Sequence, residues 1–402
     1  MRKTVALFLA AALLCSCKQV KVDKYIDFDT FLPYAVTEKP VLTPDDELNP
    51  EILLPEDLGS STAARGYTTT ARDLLGAVTN NMLTHVSGTY TGHDIDGSPI
   101  TLSGKIIYPT KGPIKNIILL SHYTICADYE APSESFPMEG ILATKGYALV
   151  IADYIGYGVT ATRIHPYLHI ESTARSVVDF ALAAKPYLEK IGRTPESNEV
   201  ILVGYSQGGA ITMGVMDMIQ DECMDIFPIK KVYAGGGPYD LAATYDISME
   251  EDKTGIPCAI PMIVQGVNEG MGLGLDMEDF FQPRLLENYE EWINSKKYTI
   301  GEIGKLMGAT ALHELITDEG RDKTSPRTAK LYKALMLNST LNFVPDAPVM
   351  LFHCKKDDTV PFENARRAEK AFKGLNVQFD FGDYGSHAMG ALVFLGRVLD
   401  EL

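Results

Sequence analysis

The segment Gly204-Tyr205-Ser206-Gln207-Gly208-Gly209 follows the apolar run Val200-Ile201-Leu202-Val203 and precedes residues of helical spacing from Ala210 to Gln220. Nothing else in the chain limits the fold as tightly. A backbone that leaves a strand and enters a helix within a residue or two turns so sharply that the positions two before and two after the apex must be small, and the apex residue is strained. A serine there reads as a nucleophile held at a sheet edge. As a bare pattern Gly-x-Ser-x-Gly also arises in structural turns, so the flanking strand and helix are what favour the catalytic reading.

A serine hydroxyl needs a base within hydrogen-bond reach and a carboxylate to orient that base. Both kinds of residue follow at the ends of later apolar runs. After Pro348 to Phe352 comes His353-Cys354-Lys355-Lys356-Asp357-Asp358-Thr359-Val360-Pro361, which offers two adjacent carboxylates. After Val377 to Phe381 comes Gly385-Ser386-His387, just before a final helical stretch. Asp383 precedes His387 too closely to be presented from its own strand end.

Short β-branched runs recur between helical stretches at Asn116 to Ser121, Ala148 to Asp153, Val200 to Tyr205, Lys231 to Ala234, Pro348 to His353 and Val377 to Phe381. Apolar runs of this kind predict a mostly parallel central sheet covered by helices on both faces. Upstream, His85 to Tyr90 and Ile100 to Tyr108 alternate around Asp96-Gly97 and predict a hairpin, and Thr69 to Leu83 has helical spacing. Residues 18–65 carry Pro33, Pro40, Pro44, Pro50 and Pro55 among acidic neighbours, which reads as an extended arm with little regular structure. Between Tyr239 and Val344 there are helical stretches but no comparable strand, so residues 239–344 read as a helical insertion between core parts 66–238 and 345–402. Within it, Gly270-Met271-Gly272-Leu273-Gly274 is too rich in glycine for a helix interior and reads as a hinge or substrate-facing loop, while Trp292 reads as a packing residue.

These motifs, with Asp153-Tyr154-Ile155-Gly156-Tyr157-Gly158 and His165-Pro166-Tyr167-Leu168-His169, resemble the α/β-hydrolase superfamily and, more narrowly, the secretory lipases. The resemblance covers Ile100 to Leu402 and implies an α/β-hydrolase fold with a helical cap, serine-dependent cleavage of carboxylic esters, and the chain order Ser206, Asp357, His387 for nucleophile, orienting acid and base. The family's spacing picks Asp357, with Asp358 as the alternative. One oxyanion donor is expected to be the backbone N–H of Gln207. The other is expected from the loop after Asn116 to Leu120, where the family commonly has His-Gly and this chain has Ser121-His122-Tyr123-Thr124: either the N–H of Tyr123 or Thr124 donates, or the Tyr123 hydroxyl does. A serine peptidase of the prolyl-peptidase type and a glycan acetyl or feruloyl esterase use the same residues and stand as alternatives, and a catalytically dead binding protein is the rival from another class.

No metal or organic cofactor is called for. His165 and His169 lie four apart without a third ligand of suitable type nearby and read as structural, as does His353; Glu130 and Glu134 read as solvated. The formal net charge of −17, with 36 Lys+Arg against 53 Asp+Glu and no long basic run, excludes a nucleic-acid partner. The expected partners are a small-molecule or lipid ester and, through the N-terminus, a membrane.

Met1-Arg2-Lys3, the apolar Val5 to Leu14 and Leu14-Cys15-Ser16-Cys17 resemble a bacterial lipoprotein signal ending at a lipidated Cys17, which places residues 1–17 in a leader and the mature protein in the cell envelope. Of six cysteines, Cys126, Cys223, Cys258 and Cys354 then remain for the folded chain. None forms a Cys-x-x-Cys pair, and spacing alone does not choose among three disulfide pairings and buried free thiols.

Overall fold

A computed structural model of the chain describes residues 31–40, 82–253 and 255–402. The leader with Cys17, most of the arm, and the segment of helical spacing up to residue 81 lie outside the described residues. Among the described residues nine strands form one sheet: β1 (Leu32–Pro40), β2 (Met82–His93), β3 (Pro99–Pro109), β4 (Ile117–Ser121), β5 (Ala148–Ala152), β6 (Val200–Tyr205), β7 (Ile229–Gly235), β8 (Val349–Cys354) and β9 (Val377–Gly382). Their order is β1-β2-β3-β5-β4-β6-β7-β8-β9. The first three pair antiparallel, β3 also runs antiparallel to β5, and from β5 to β9 all neighbours are parallel.

The parallel strands alternate between two cores. Leu119, Val150, Leu202 and Leu351 face one side, packed with Val177 and Phe180 of helix α1 (Ile170–Lys190) and Ile211 and Val215 of α2 (Gln207–Glu222). Ile118, Leu120, Ile151, Val203 and Phe352 face the other, against Phe394, Leu395 and Val398 of the last helix. Both faces are buried, so these strands read as continuous apolar runs in the sequence. The hairpin between β2 and β3 turns where Gly97 N–H donates to Asp94 O at 2.9 Å, and Gly97 takes φ of 81°.

The arm departs from expectation at β1. Residues 32–40 form a regular edge strand paired with β2, not an irregular extension. Edge position is what admits prolines: Pro33 sits beside a register shift before Ala35, and Pro40 ends the strand, so neither removes an interior ladder bond. Met82 and Leu83, read as the end of a helix, begin β2 instead.

Between β7 and β8 the described residues hold helices α3 (Leu241–Glu251), α4 (Ala259–Gly270), α5 (Pro283–Tyr289), α6 (Ile300–Met307), α7 (Asp318–Arg321) and α8 (Pro326–Leu337), with isolated bridges Lys253 to Ala311 and Phe281 to Ile316. Gly270 is the last residue of α4 and a Cβ there would stand 2.3 Å from the His169 ring, whereas Gly272 and Gly274 take left-handed φ of 57° and 62° in open space. Trp292 packs half-buried beside the main core, with the Arg284 guanidinium 5.6 Å from its ring centre. Helices α9 (Glu363–Ala371) and α10 (His387–Glu401) complete the chain. No described helix is long and apolar enough to cross a membrane.

Candidate active site

The site forms where the sheet's connectivity changes direction. From β4 the chain moves to β5 on one side, and β6 returns to β4's other side, so the C-terminal ends of β4 and β6 bound a crevice. Ser206 stands at the end of β6 with φ 59° and ψ −124°, a left-handed φ that a non-glycine residue holds only under strain. The neighbouring glycines are required by contact: a Cβ at Gly204 would meet Gly208 O at 2.2 Å, and one at Gly208 would meet Ser121 O at 2.0 Å. The N–H of Ser206 donates to Gly235 O at 2.9 Å, which fixes the apex.

His387 opens α10 directly after Ser386, whose Oγ caps the helix by accepting from Met389 N. Its own backbone is held from two sides: the Tyr205 hydroxyl donates to His387 O at 2.8 Å, and His387 N–H donates to Asp358 Oδ1 at 3.1 Å. The imidazole therefore meets two partners at once. Nε2 lies 2.8 Å from Ser206 Oγ, and Nδ1 lies 2.7 Å from Asp357 Oδ2.

Asp357 lies on the loop after β8, its side chain fully buried. Burial pushes its pKa up, but the neighbouring His387, the hydrogen bond from that ring, His353 and the Val360 N–H outweigh burial and hold the carboxyl below its ordinary value. Its Oδ1 accepts from Thr359 N at 3.0 Å and Val360 N at 2.7 Å. Asp358 is turned to the His387 backbone instead of its ring. Asp383 pairs with Lys356 at 2.7 Å on the surface.

Around Ser206, the N–H groups of Gln207, Tyr123 and Thr124 have no acceptor among the described residues. For Gln207 this is the ordinary state of a first helical turn. The Tyr123 hydroxyl is a poor acid here, its pKa raised by burial and by Glu139 and Glu130. Thr124 Oγ1 is 2.8 Å from the Tyr167 hydroxyl, and His122 stacks on Tyr154 with ring centres 3.9 Å apart.

Three further buried groups lie close to the site: His165 and His353, which the sequence marks as structural, and Glu139, which sequence reasoning missed. His165 Nδ1 is 2.7 Å from Ile155 O, so that nitrogen carries the proton and Nε2 accepts from the Gln207 side-chain amide at 3.1 Å. Burial drives its pKa down to about 3, so the ring is neutral. His353 lies within β8, behind Asp357, with Nε2 donating to Val360 O at 3.1 Å and lying 3.6 Å from Asp357 Oδ2. Glu139 is buried with Oε2 unpartnered, and burial raises its pKa to about 7. Glu130, expected in solvent, accepts from Cys126 N and Ala127 N at 3.2 and 2.9 Å. No group of three or more His, Cys, Asp or Glu among the described residues could hold a metal ion.

A mostly parallel sheet flanked by helices, with a strained serine at the end of a central strand, defines an α/β-hydrolase fold. Within that class the chain belongs to the secretory lipase family, which it matches over residues 131–393. A secreted triacylglycerol lipase of Malassezia furfur is 22% identical over 251 residues, 61% of this chain and 48% of that protein. The chain thus spans about half the length of this curated relative. The rice cell wall degrading esterase LipA of Xanthomonas oryzae superposes with a TM-score of 0.72 at 23% identity, covering 83% of this chain and 94% of LipA. Candida antarctica lipase A gives 0.57 at 17% identity, covering 76% and 73%. At these identities the two structures speak for the fold alone.

Proposed function

We propose that the chain hydrolyses carboxylic esters through Ser206, His387 and Asp357. The observation that carries this is the unbroken contact from Ser206 Oγ to His387 Nε2 and from His387 Nδ1 to Asp357 Oδ2. Asp357 keeps a proton on Nδ1, which leaves Nε2 free to accept from the serine. As Oγ attacks the acyl carbonyl, its proton passes to Nε2, and the imidazolium is stabilised by the buried carboxylate. The oxyanion then accepts from the N–H of Gln207 and from that of Tyr123 or Thr124. Collapse transfers the His387 proton to the leaving alcohol and leaves an acyl-serine, which water attacks by the same route in reverse.

The helices of residues 239–344 serve as a cap over this site in the proposal, held to the core in part by Lys296. Its Nζ donates to Ala161 O at 2.7 Å and to Arg163 O. Membership of the secretory lipase family supports export, and the leader supports attachment to the cell envelope through a lipid on Cys17.

The test is hydrolysis of a p-nitrophenyl ester series from acetate to palmitate, with Ser206→Ala as control and fluorophosphonate labelling of the wild type. Turnover and labelling that both vanish in Ser206→Ala are expected. Turnover that survives the substitution would overturn the assignment of the nucleophile, and labelling without turnover on any ester would move the substrate to amides.

A further inference from the structure

Cys126 lies just beyond Tyr123 and Thr124 on the loop after β4, and Cys258 stands at the N-terminus of α4; both are buried. The Cys126 thiol donates to Met262 Sδ at 3.8 Å. Met262 is one helical turn past Cys258, its N–H bonded to Cys258 O at 2.9 Å, so the two side chains share the helix face that meets this loop. Both cysteines are free thiols in the structure, and the Cys258 thiol is close enough to raise the pKa of Cys126. The other two buried thiols stand apart from this pair: Cys354 faces Tyr205, and Cys223 lies among the charges of Glu222 and Arg175.

We infer that Cys126 and Cys258 form a disulfide that staples α4 to the loop beside Ser206. A thiolate of one cysteine attacks the S–S bond of a small-molecule or protein disulfide oxidant, forming a mixed disulfide and releasing one thiol. The second cysteine then displaces the oxidant's remaining sulfur. Two electrons pass to the oxidant, and the two protons lost from the cysteines end on its thiols. Once the chain is folded, the neighbouring Cys258 thiol and burial push the ionisation of Cys126 well above the usual thiol range, so the bond forms during folding and is shielded from exchange afterwards.

The link would reinforce a contact that is already close. Further along α4, a Cβ at Gly266 would stand 2.3 Å from Tyr167 N, which leaves no room for that helix to approach through a side chain. With the N-terminus of α4 also joined to residue 126, the helix and the loop carrying Tyr123 and Thr124 move as one body. The inference is independent of the ester-hydrolase reading.

The full chain exported into an oxidising bacterial periplasm, denatured in iodoacetamide and digested without reductant, supplies the test. The expected product is a linked pair of peptides containing Cys126 and Cys258, two hydrogens lighter than their sum, with Cys223 and Cys354 alkylated. Cys126→Ser and Cys258→Ser each remove the linked pair and expose the remaining partner to alkylation. Dithiothreitol should lower the melting temperature of the wild type by about 5 °C and leave the two variants unchanged. Alkylation of both Cys126 and Cys258 in the wild type, or a link from either to Cys223 or Cys354, would overturn the proposal without touching the assignment of Ser206.

Discussion

His387 Nε2 lies 2.8 Å from Ser206 Oγ although 181 positions separate the two residues in the chain. The contact depends on placing β9 and α10 beside β8 and on the Tyr205 hydroxyl holding the His387 carbonyl. Because Tyr205 adjoins Ser206, one dipeptide both carries the serine and fixes the backbone of His387.

Asp357 and Asp358 have different tasks. Asp357→Asn is expected to lower kcat by about 10⁴, because the amide permits the wrong imidazole tautomer. Asp358→Asn, which touches only the His387 N–H, should lower it by less than about tenfold. Steady-state kinetics on p-nitrophenyl butyrate, with circular dichroism to verify folding, checks both; equal losses would refute the division.

The Tyr123 hydroxyl is not needed as the oxyanion donor if backbone N–H groups fill that role. Tyr123→Phe should therefore leave kcat within about twofold of wild type. A loss of about 10² or more would assign the donor to the hydroxyl.

Glu139 sets a pH dependence of stability. Its folded-state pKa is raised from an ordinary 4.5 to about 7, so its contribution is fully present below about pH 4.5 and is lost as pH rises through 7. The full loss amounts to about 3 kcal/mol. Glu139→Gln stays neutral and should shrink the fall in urea midpoint between pH 5 and pH 8. The same fall in both proteins would show that the carboxyl is not the titrating group.

Gly208→Ala should destabilise the fold by about 3 kcal/mol and abolish turnover, since its Cβ would press into Ser121 O at 2.0 Å and both partners are backbone. Gly192→Ala is the comparison. Nothing lies within 4 Å of its Cβ, so only the strain of φ 72° remains, about 1 kcal/mol. Denaturant midpoints of the two variants measure the difference.

The doubly buried strands β4, β5, β6 and β8 were legible because two apolar faces write themselves as uninterrupted apolar runs. Edge strand β1 was not: Leu32, Tyr34 and Val36 are exposed, and Pro33 and Pro40 carry the signature of a loop. The ionisation of Glu139 was equally invisible, since an isolated Glu in sequence looks solvated until the sheet and the loop close over it.

The chain by itself determined what local sterics dictate: small residues around Ser206, a serine between strand and helix, and a carboxylate and a histidine following in compatible order downstream. Tertiary structure decided which groups meet. It turns Asp357 toward the imidazole and Asp358 toward the backbone, sets His353 behind Asp357, joins His165 to Gln207 and brings Cys126 to Met262, one turn past Cys258. Turn geometry involves a few consecutive residues and leaves its trace in their sizes. Contacts across the sheet depend on strand order and on the packing of distant side chains, for which no local pattern exists.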